Sequence, residues 1–447
     1  MLLRSYVEHA LYARAQGYFA VKHVVGRLRK PMPFHQFRDE AAYRQAVRDM
    51  HENGDSDWLT PSEQFTPFYG EAFGRSIVAR HRAAYPTNTP LQLVEVGGGN
   101  GTFARDILQY LRRDEPELYS TCRYLLVEIA PPLAEAQRST IGAALGEEEL
   151  ASRVQVINED ARTWAEGRPA ELTRGPWWFN LMEVLDNLGH DRMRATAPRY
   201  ESHAAAVLEQ AYVRGLEGHA DPIIAGLDGG RDTLVQWEQD YEPLSDPVIT
   251  TVAEVLGLST LDALHQVQAE VAATSGAAPG AELASGLASF FGGVIGSSGG
   301  GTHESVDVWV PTGCYRLVHA LCRAAPQHEF SIADYSWLPP QPDGAINAPV
   351  VQTQRGGQTL DLRGDPLKAC GNADILFPTN FDQLAKVIAA ASADVGGKPA
   401  GEAIEHMPTS EFMTRWHTGE TRAADGYDPL VDDYSNTAVL TTSFGAR

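Results

Sequence analysis

Three features that mark particular classes of protein are scarce or missing in this chain of 447 residues. The four cysteines (Cys122, Cys314, Cys322 and Cys370) lack metal-ligand spacing, so we predict reduced structural thiols and no metal site. No apolar run reaches the roughly 20 residues of a membrane-spanning helix. Basic residues are also few, with 36 Lys and Arg against 58 Asp and Glu and a formal net charge of −22. This balance argues against nucleic-acid binding, which depends on Lys and Arg at phosphates.

The amino-terminal segment departs from the acidic balance. Before Asp39 it carries Lys or Arg at positions 4, 14, 22, 27, 29, 30 and 38, against a single acid, Glu8. Such a bias is typical of an organellar presequence. The stretch from Ser5 to Ala15 also has apolar residues on one helical face. The sequence therefore leaves open a targeting segment or a folded helix.

The strongest motif is LQLVEVGGGNGTFARD, Leu91 to Asp106. An apolar run ends at Glu95, turns through glycines and continues as a helix. Glycine adopts positive φ and lets the backbone approach a ligand closely. The N-terminus of the following helix offers free N–H groups to polar ligand atoms. The motif predicts a parallel strand that ends at a nucleotide-sized ligand.

Strands and helices alternate from this motif onward. The pattern predicts four strands and two helices: strands Leu91–Val96, Arg123–Glu128, Val154–Asn158 and Trp177–Met182, and helices Thr102–Arg113 and Pro131–Ala144. Such alternation is typical of an α/β protein with a doubly wound, mostly parallel, Rossmann-like sheet.

Composition changes along the chain predict four regions. These are a helical amino-terminal lid (1–88), the first part of the cofactor-binding core (89–191), a helical insertion (192–304) and the remainder of the sheet with the carboxyl-terminal segment (305–447). Within the insertion, residues 272–302 are rich in Ala, Gly and Ser and predict a flexible segment.

Two cofactor classes fit the glycine loop. Gly99 to Ala104 matches the dinucleotide pattern G-x-G-x-x-A, whereas Glu95 with Gly97, Gly99 and Gly101 matches the loop of S-adenosylmethionine (SAM) methyltransferases. An acid at the loop repels a pyrophosphate but suits the cationic SAM, so Glu95 favours SAM. A nicotinamide dinucleotide is the alternative.

Two further acids stand at successive strand ends. Glu128 suits the ribose hydroxyls of either cofactor, and Asp160 suits the adenine amino group. Each acid taken alone is also compatible with a solvated strand end. All of them at successive strand ends favour a cofactor site.

The chain also resembles the MidA-like family of SAM-dependent methyltransferases, and most closely a branch found in plants. The segments that carry the resemblance span nearly the whole chain apart from 272–302. They are DWLTPSEQFTPFYGEAFG, LVEVGGGNGTFARDIL, YLLVEIAPPLAEAQ, MEVLDNLGHD, VPTGCYRL, SIADYSWLP, NADILFPTNF and GYDPLVDDY.

The resemblance implies a Rossmann-like fold with extra helices and places the cofactor on Gly97, Gly99, Gly101 and Glu128. The family segment T-S-P-E corresponds to Thr60 through Glu63, with Ser and Pro exchanged. The family segment N-E-x-x-D corresponds to Met182, Glu183 and Asp186, so the family's asparagine is missing here.

The mitochondrial members of the family methylate an arginine during complex I assembly. A guanidinium is always protonated, so it needs carboxylates to orient it and to localise its charge. We predict this role for Glu183, Asp186 and Glu63. His190 is a candidate proton acceptor or a surface or capping histidine, and Asp334 and Tyr335 line the acceptor pocket or bond within the core.

The function expected from residues and resemblance together is methylation of a protein arginine in a complex I subunit, in the mitochondrial matrix, with SAM as cofactor. Two alternatives stay open at this point: a SAM-binding assembly factor without methyl transfer, and a nicotinamide-dependent reductase. The cytoplasm is the alternative location.

Overall fold

The computed structural model describes residues 1–21, 25–28, 30–52, 59–167, 169, 172, 174–196, 207–216, 236–276, 305–355, 358–396 and 404–443. The strands are β1 (Gln92–Val96), β2 (Arg123–Val127), β3 (Val154–Ile157), β4 (Trp177–Met182), β5 (Asp191–Thr196), β6 (Val207–Leu216), β7 (Gln236–Pro243), β8 (Ser305–Val310), β9 (His328–Tyr335), β10 (Val350–Arg355), β11 (Gln358–Asp361), β12 (Asp374–Leu376), β13 (Ile404–Pro408) and β14 (Thr437–Thr442).

The α-helices are α1 (Leu3–Tyr12), α2 (Tyr18–Val21), α3 (Glu40–Glu52), α4 (Pro61–Gln64), α5 (Phe68–Ala84), α6 (Thr102–Asp114), α7 (Pro116–Thr121), α8 (Pro131–Leu145), α9 (Glu147–Arg153), α10 (Pro247–Leu256), α11 (Leu261–Gly276), α12 (Thr312–Ala324), α13 (Phe381–Asp394), α14 (Thr409–Trp416) and α15 (Pro429–Asp432). Short 3-10 turns lie at Phe34–Gln36, Ala161–Ala165, Leu185–Asn187 and Pro366–Lys368.

The chain divides into two compact units. The large-sheet unit comprises Lys22–Val184, Leu317–Ser336 and Ile388–Arg447, and the small-sheet unit comprises Met1–Val21, Leu185–Arg316 and Trp337–Val387. The predicted lid, 1–88, and the predicted final region, 305–447, are therefore each divided between the two units.

The large-sheet unit contains a seven-stranded sheet in the order β13-β14-β9-β4-β1-β2-β3. The five strands from β9 to β3 run parallel, and β14 and β13 add antiparallel pairs at one side. Parallel strands with helical crossovers place their carboxyl ends along one edge, where α/β proteins bind ligands. This topology confirms the predicted α/β class and mostly parallel sheet.

The core of this unit packs α5 and α6 beside the sheet. All five residues of β1 are buried, as expected of a parallel strand covered on both faces. The ring of Phe73 packs against Phe412 at 4.5 Å and Phe103 at 5.5 Å. Gly70 lets α5 approach α6, since a Cβ there would lie 2.7 Å from the Cβ of Asp106. This contact fixes the helix that follows the glycine loop.

The small-sheet unit contains two antiparallel sheets, β7-β6-β5-β8 and β11-β10-β12. The prediction of a helical region over 192–304 is wrong for the part of 192–243 that the structure describes, which is strand. In β5, the partly exposed Arg192 and Arg194 alternate with the buried Met193 and Ala195. That period of two belongs to a half-buried strand, and the prediction overlooked it.

Helices do follow these strands, as α10 and α11. The beginning of the predicted flexible segment, residues 272–276, forms the end of α11, and the rest of 272–302 lies outside the described residues.

The amino-terminal helix α1 belongs to the small-sheet unit. Its Arg4 forms ion pairs with Asp191 at 2.6 Å and Asp246 at 2.8 Å. The amino group of Met1 donates to the carbonyl oxygen of Val213 at 2.8 Å. Of the two interpretations of this stretch, these contacts favour the folded helix.

The four cysteines are free thiols. Among the described residues, no cluster of three or more His, Cys, Asp or Glu is arranged to hold a metal ion. Within the same ranges no single helix is long and apolar enough to cross a membrane. The paired α10 and α11 segments, Pro247–Leu256 and Leu261–Ala269, meet the length and composition test only together, with a 60° bend between them.

Candidate cofactor and acceptor site

The glycine loop joins β1 to α6 in the large-sheet unit. Gly97, Gly99 and Gly101 adopt φ of 67°, 51° and 80°, a region that glycine occupies without the usual steric cost. A Cβ on Gly101 would also lie 3.1 Å from the Cα of Gln137 on α8. The loop therefore needs glycine both for its backbone conformation and for its fit against α8.

Glu95 lies beneath this loop and is 2% exposed. Tyr124 donates its hydroxyl proton to the Glu95 carboxylate at 2.5 Å, and a Cβ on Gly98 would lie 2.5 Å from Glu95 Oε1. Burial, and more weakly the neighbouring Glu128, raise the pKa of Glu95 to about 8. The structure thus places Glu95 against the loop backbone, and Gly98 makes room for it.

Glu128 follows β2 directly. Its carboxylate accepts hydrogen bonds from the backbone N–H of Ala130 at 2.8 Å and from Gln137 Nε2 at 3.1 Å. Burial raises its pKa to about 7, although these two hydrogen bonds oppose the shift. A third hydrogen bond, from the Ile129 backbone, also lowers the pKa of Glu128. The carboxylate has about four lone-pair sites, so it retains an acceptor for a ligand hydroxyl.

Glu63 and Thr60 lie at α4, beside the loop. Thr60 is the N-cap of α4 and accepts from the Glu63 backbone N–H at 3.4 Å. The Glu63 carboxylate accepts from Thr102 Oγ1 at 2.5 Å and from Asn100 Nδ2 at 3.3 Å. These contacts place Glu63 at the start of α6, where it orders the cofactor loop. Its predicted role at the acceptor stays a prediction.

Asp160 lies after β3 and caps the short turn that follows. Its carboxylate accepts from the backbone N–H of Arg162 at 2.9 Å and forms an ion pair with the Arg162 guanidinium at 2.8 Å. The side chain is 30% exposed, so an oxygen remains accessible. Contact with an adenine amino group stays a prediction.

Sequence reasoning missed Gln137 and Asn100. Gln137 Nε2 bridges Glu128 and the carbonyl oxygen of Gly99, each at 3.1 Å. Asn100 Nδ2 donates to the carbonyl oxygen of Gly26 at 3.0 Å. Gln137 ends the family segment YLLVEIAPPLAEAQ, and Asn100 interrupts the glycines, so their positions were the available signals.

These residues fit the adenosyl group of SAM. The loop provides close backbone approach, and Glu128 provides acceptors for a ribose. The buried Gln137 Oε1 has no donor among the described residues, so the site retains a polar atom for a ligand. Glu95, with its pKa raised to about 8 and its carboxyl bonded to Tyr124, supports the loop from beneath and adds little charge near pH 7.

The carboxyl ends of β4 and β9 form the neighbouring part of the same edge. Glu183 follows β4 with φ of 53° and donates its backbone N–H to the carbonyl oxygen of Ala333 at 2.8 Å. Positive φ is uncommon for a residue with a side chain and costs on the order of 1–3 kcal/mol. Burial and the neighbouring Asp334 raise the pKa of Glu183 to about 8.

Asp334, at the end of β9, is 1% exposed and accepts from the backbone N–H of Tyr335 at 2.7 Å. Among the described residues, no Lys, Arg or His forms an ion pair with Glu183. The structure therefore brings the predicted Glu183, Asp334 and Tyr335 together.

Two tyrosines that the sequence did not single out lie by these acids. Tyr69 of α5 is buried, and its hydroxyl donates to Met182 Sδ at 3.9 Å. Burial and the charges of Glu183 and Asp334 raise the pKa of Tyr69 well above 10. The pKa of Tyr434 is also raised, by burial, by Tyr43 and by Glu183. Both phenols stay neutral beside the acids.

The two parts of the edge are adjacent. Strand β1 pairs with both β2 and β4, and a Cβ on Gly97 would lie 3.1 Å from Val184 Cγ2. Glu183 immediately precedes Val184 in the chain. The acid is therefore one residue away from the side chain that faces the glycine loop.

Asp186 and His190 lie in the small-sheet unit. The Asp186 carbonyl oxygen accepts from Phe377 N–H at 2.8 Å. The His190 ring stacks on Phe377 at 4.0 Å, and Nδ1 bonds the Leu188 carbonyl oxygen at 2.9 Å. Burial lowers the pKa of His190 to about 4, so the ring is neutral near pH 7. It lines a small pocket within this unit, together with Pro311, Cys314 and Asn347. The acceptor roles of both residues stay predictions.

The sheet order and the loop after its central strand define the class: an α/β enzyme that holds SAM at the carboxyl ends of parallel strands. A family model described as "Putative S-adenosyl-L-methionine-dependent methyltransferase" matches residues 72–398. The chain belongs to this family, the MidA-like methyltransferases. Its cofactor is therefore SAM, and the dinucleotide alternative no longer applies.

Known proteins resemble the chain in sequence and in fold. The mitochondrial protein arginine methyltransferase NDUFAF7 homolog of Drosophila melanogaster is 30% identical over 132 residues, which span 29% of this chain and 27% of the relative. A Burkholderia thailandensis crystal structure bound to S-adenosyl-homocysteine aligns over 100% of this chain and 88% of its own, with TM-score 0.55 and 16% identity. A second structure from that organism, with the same coverage, gives 0.52 and 14%. At these identities the structural likeness shows the fold alone.

Proposed function

We propose that this methyltransferase methylates the guanidinium group of an arginine in a protein substrate. The observation that carries the proposal is the pair of acids Glu183 and Asp334 at the ends of adjacent strands. Glu183 follows the strand next to β1, and Asp334 ends the strand beyond it. No Lys, Arg or His among the described residues forms an ion pair with Glu183.

The electrostatics of this pair favour a cationic acceptor. Two acids in a partly buried site repel each other, and this repulsion, with burial, raises the pKa of Glu183 to about 8. A guanidinium, with a pKa above about 12, brings a permanent positive charge into such a site. Its attraction favours the ionised form of Glu183. The acceptor therefore replaces a proton on Glu183, and its charge offsets that of the acids.

Each residue has a definite task in this proposal. The bound cofactor supplies an electrophilic methyl group. Glu183 holds the guanidinium by charge-assisted hydrogen bonds and accepts the proton that the nitrogen loses. Asp334 accepts hydrogen bonds from the other N–H groups of the planar guanidinium. The neutral Tyr69 and Tyr434 limit water access to the acids.

The substrate protein and the location are part of the same proposal, which the relative's name supports for the location. The Drosophila melanogaster relative is named as a mitochondrial protein arginine methyltransferase. We propose a mitochondrial location and, from the resemblance of the sequence, a complex I subunit as the acceptor.

A transfer assay tests the proposal. Complex I subunits are incubated with methyl-labelled SAM and the full chain, and the labelled subunit is hydrolysed and its amino acids separated. We expect the label in methylarginine. Label in a methyl ester, or on lysine or an aromatic ring, would overturn the guanidinium assignment. Binding of SAM without label in any subunit would instead favour an assembly factor that binds SAM.

A further inference from the structure

Gln137 occupies an unusual position between two parts of the cofactor site. The side chain is 0% exposed on α8. Its Nε2 donates one hydrogen bond to Glu128 Oε2 and one to the carbonyl oxygen of Gly99, both at 3.1 Å. One amide nitrogen thus connects the acid after β2 with the glycine loop after β1.

These two contacts fix the orientation of the amide. A carbonyl oxygen and a carboxylate only accept hydrogen bonds, so the amide nitrogen, with its two protons, must face them. Gln137 Oε1 therefore points away from Glu128 and Gly99. It is buried and has no donor among the residues that the structure describes.

An acceptor left in this state is costly. A buried polar group without a partner loses on the order of 1–3 kcal/mol, and native proteins contain few of them. Here the cost arises beside the Glu128 carboxylate, which has about four lone-pair sites and three protein donors, from Ala130, Gln137 and Ile129. Gln137 Oε1 and the Glu128 carboxylate each keep acceptor capacity at the cofactor site, and a ligand that satisfies both presents more than one donor.

We propose that Gln137 is a cofactor-binding residue whose Oε1 accepts a hydrogen bond from one ribose hydroxyl of the adenosyl group, while its Nε2 positions Glu128 for the other. The vicinal hydroxyls of a ribose supply two adjacent donors, and the acid after the second strand of such folds is the usual ribose partner. The assignment rests on the family's cofactor and is independent of the methyl acceptor.

The charge on Glu128 depends on the same amide. Burial raises the pKa of Glu128 to about 7, and the bonds from Ala130 and Gln137 hold it down. The charged group on a facing strand is Glu95 of β1, whose own pKa the Glu128 charge raises. On α8 itself, Arg138 donates to the Val156 carbonyl oxygen at 3.0 Å and contacts Glu135 at 3.3 Å. Loss of the Gln137 amide therefore raises the pKa of Glu128 further.

Calorimetric titration with S-adenosyl-homocysteine tests the proposal. In the unchanged protein we expect the 2′-deoxy and the 3′-deoxy forms of this ligand each to bind about 5- to 20-fold more weakly, as befits a lost hydrogen bond to a buried partner. If either hydroxyl can be removed without effect, the proposal is overturned. This comparison needs no variant to fold.

The variant Gln137→Met keeps the volume and removes the amide. We expect it to bind S-adenosyl-homocysteine about 10-fold more weakly than the wild type at pH 7. Its affinities for the parent ligand and for one of the two deoxy forms should differ less than in the wild type. Half-maximal affinity should require a higher pH. The control Gln92→Met removes another buried amide, which bonds the carbonyl oxygens of Arg174 and Pro176, and should change neither property. Weaker binding in Gln137→Met with unchanged ribose discrimination and pH profile would show a merely structural role.

Discussion

The carboxylates of the β1–β2 and β4–β9 parts of the same sheet edge differ in the hydrogen bonds that they accept from the protein. At β1–β2, Glu95 and Glu128 each accept a side-chain hydrogen bond from the protein, and Glu63 beside the loop accepts two. At β4–β9, no side chain among the described residues donates to Glu183. The first part is ordered by donors of the protein itself, whereas Glu183 in the second has no such donor in the described part of the chain, as the proposed cationic acceptor requires.

This difference separates two kinds of recognition. The cofactor is common to every turnover, so a site completed by protein donors holds it at little reorganisation cost. The acceptor must arrive and leave, and an acid without a resident partner gains its counter-charge only when the acceptor binds. Substitutions that affect one part and spare the other test this contrast.

The largest expected effect is on transfer in Glu183→Gln. We expect methyl transfer to fall by about 100-fold or more, since the variant keeps the shape but loses the charge and the proton acceptor. Affinity for S-adenosyl-homocysteine should change less than about 2-fold.

The matched control for Glu183→Gln is Glu329→Gln. Glu329 is a buried acid at the other end of β9 that accepts from Thr442 Oγ1 at 2.6 Å. Its variant should keep most of the activity. Equal transfer by Glu183→Gln and the wild type would refute the role given to Glu183.

The next effect is on the cofactor loop. Gly101→Ala introduces a Cβ at positive φ and against Gln137, so we expect S-adenosyl-homocysteine affinity to fall by about 10- to 100-fold. Gly146 is the control, because its φ is 92° and a Cβ added there would meet no atom within 4 Å. Gly146→Ala should cost stability only, by about 1 kcal/mol. Calorimetry measures the cofactor affinity and thermal melting measures the stability of each variant. Similar cofactor affinities for the two variants would contradict the account.

A smaller effect is expected at Tyr69. Tyr69→Phe removes a hydroxyl that donates to the weak thioether acceptor of Met182, so it spares the fold and affects the bound acceptor. We expect KM for the protein acceptor to rise about 3- to 10-fold, with cofactor affinity unchanged. The control Tyr85→Phe lies at the end of the same helix, where its hydroxyl bonds Glu329 at 3.2 Å. A fall in cofactor affinity with no change in KM would place Tyr69 in the other part of the edge.

The smallest effect is on stability. The pKa of Glu183 is raised from 4.5 to about 8, so folding favours its protonated form. That stability is fully present below about pH 4.5 and is lost as the pH rises through about 8. Glu183→Gln should therefore be more stable than the wild type at pH 8, by about 1–3 kcal/mol, and similar at pH 4.5. Denaturant unfolding at the two pH values measures this, and the opposite trend would exclude a raised pKa.

The sequence predicted the strands, the glycine turn and the helix of the β1–β2 part, because their determinants are local. A strand, a glycine turn and a helix follow each other within sixteen residues, from Leu91 to Asp106, and Glu128 ends the next strand. Gln137 ends a family segment, but its contacts depend on the packing of α8 against the loop, which spacing along the chain does not reveal.

In the β4–β9 part, the sequence predicted the acidic residues but not which of them lie close together. Glu183 and Asp334 are distant along the chain and become neighbours through the pairing of β4 with β9. Tyr69 reaches them from α5, so its role is a property of tertiary packing. The strands β5 to β7 were missed for a different reason: the alternation of buried and partly exposed residues that marks β5 as a strand was overlooked.

The central claim is that a cationic side chain replaces a proton on Glu183. The measurement is a calorimetric titration of the protein with an arginine peptide from the labelled subunit, in the presence of S-adenosyl-homocysteine. Repeating it at pH 7 in buffers of different ionisation enthalpy gives the number of protons released on binding. Since the pKa of Glu183 is about 8 in the free protein, we predict release of about one proton per peptide bound by the wild type and almost none by Glu183→Gln. Peptide binding without proton release by the wild type would contradict the account.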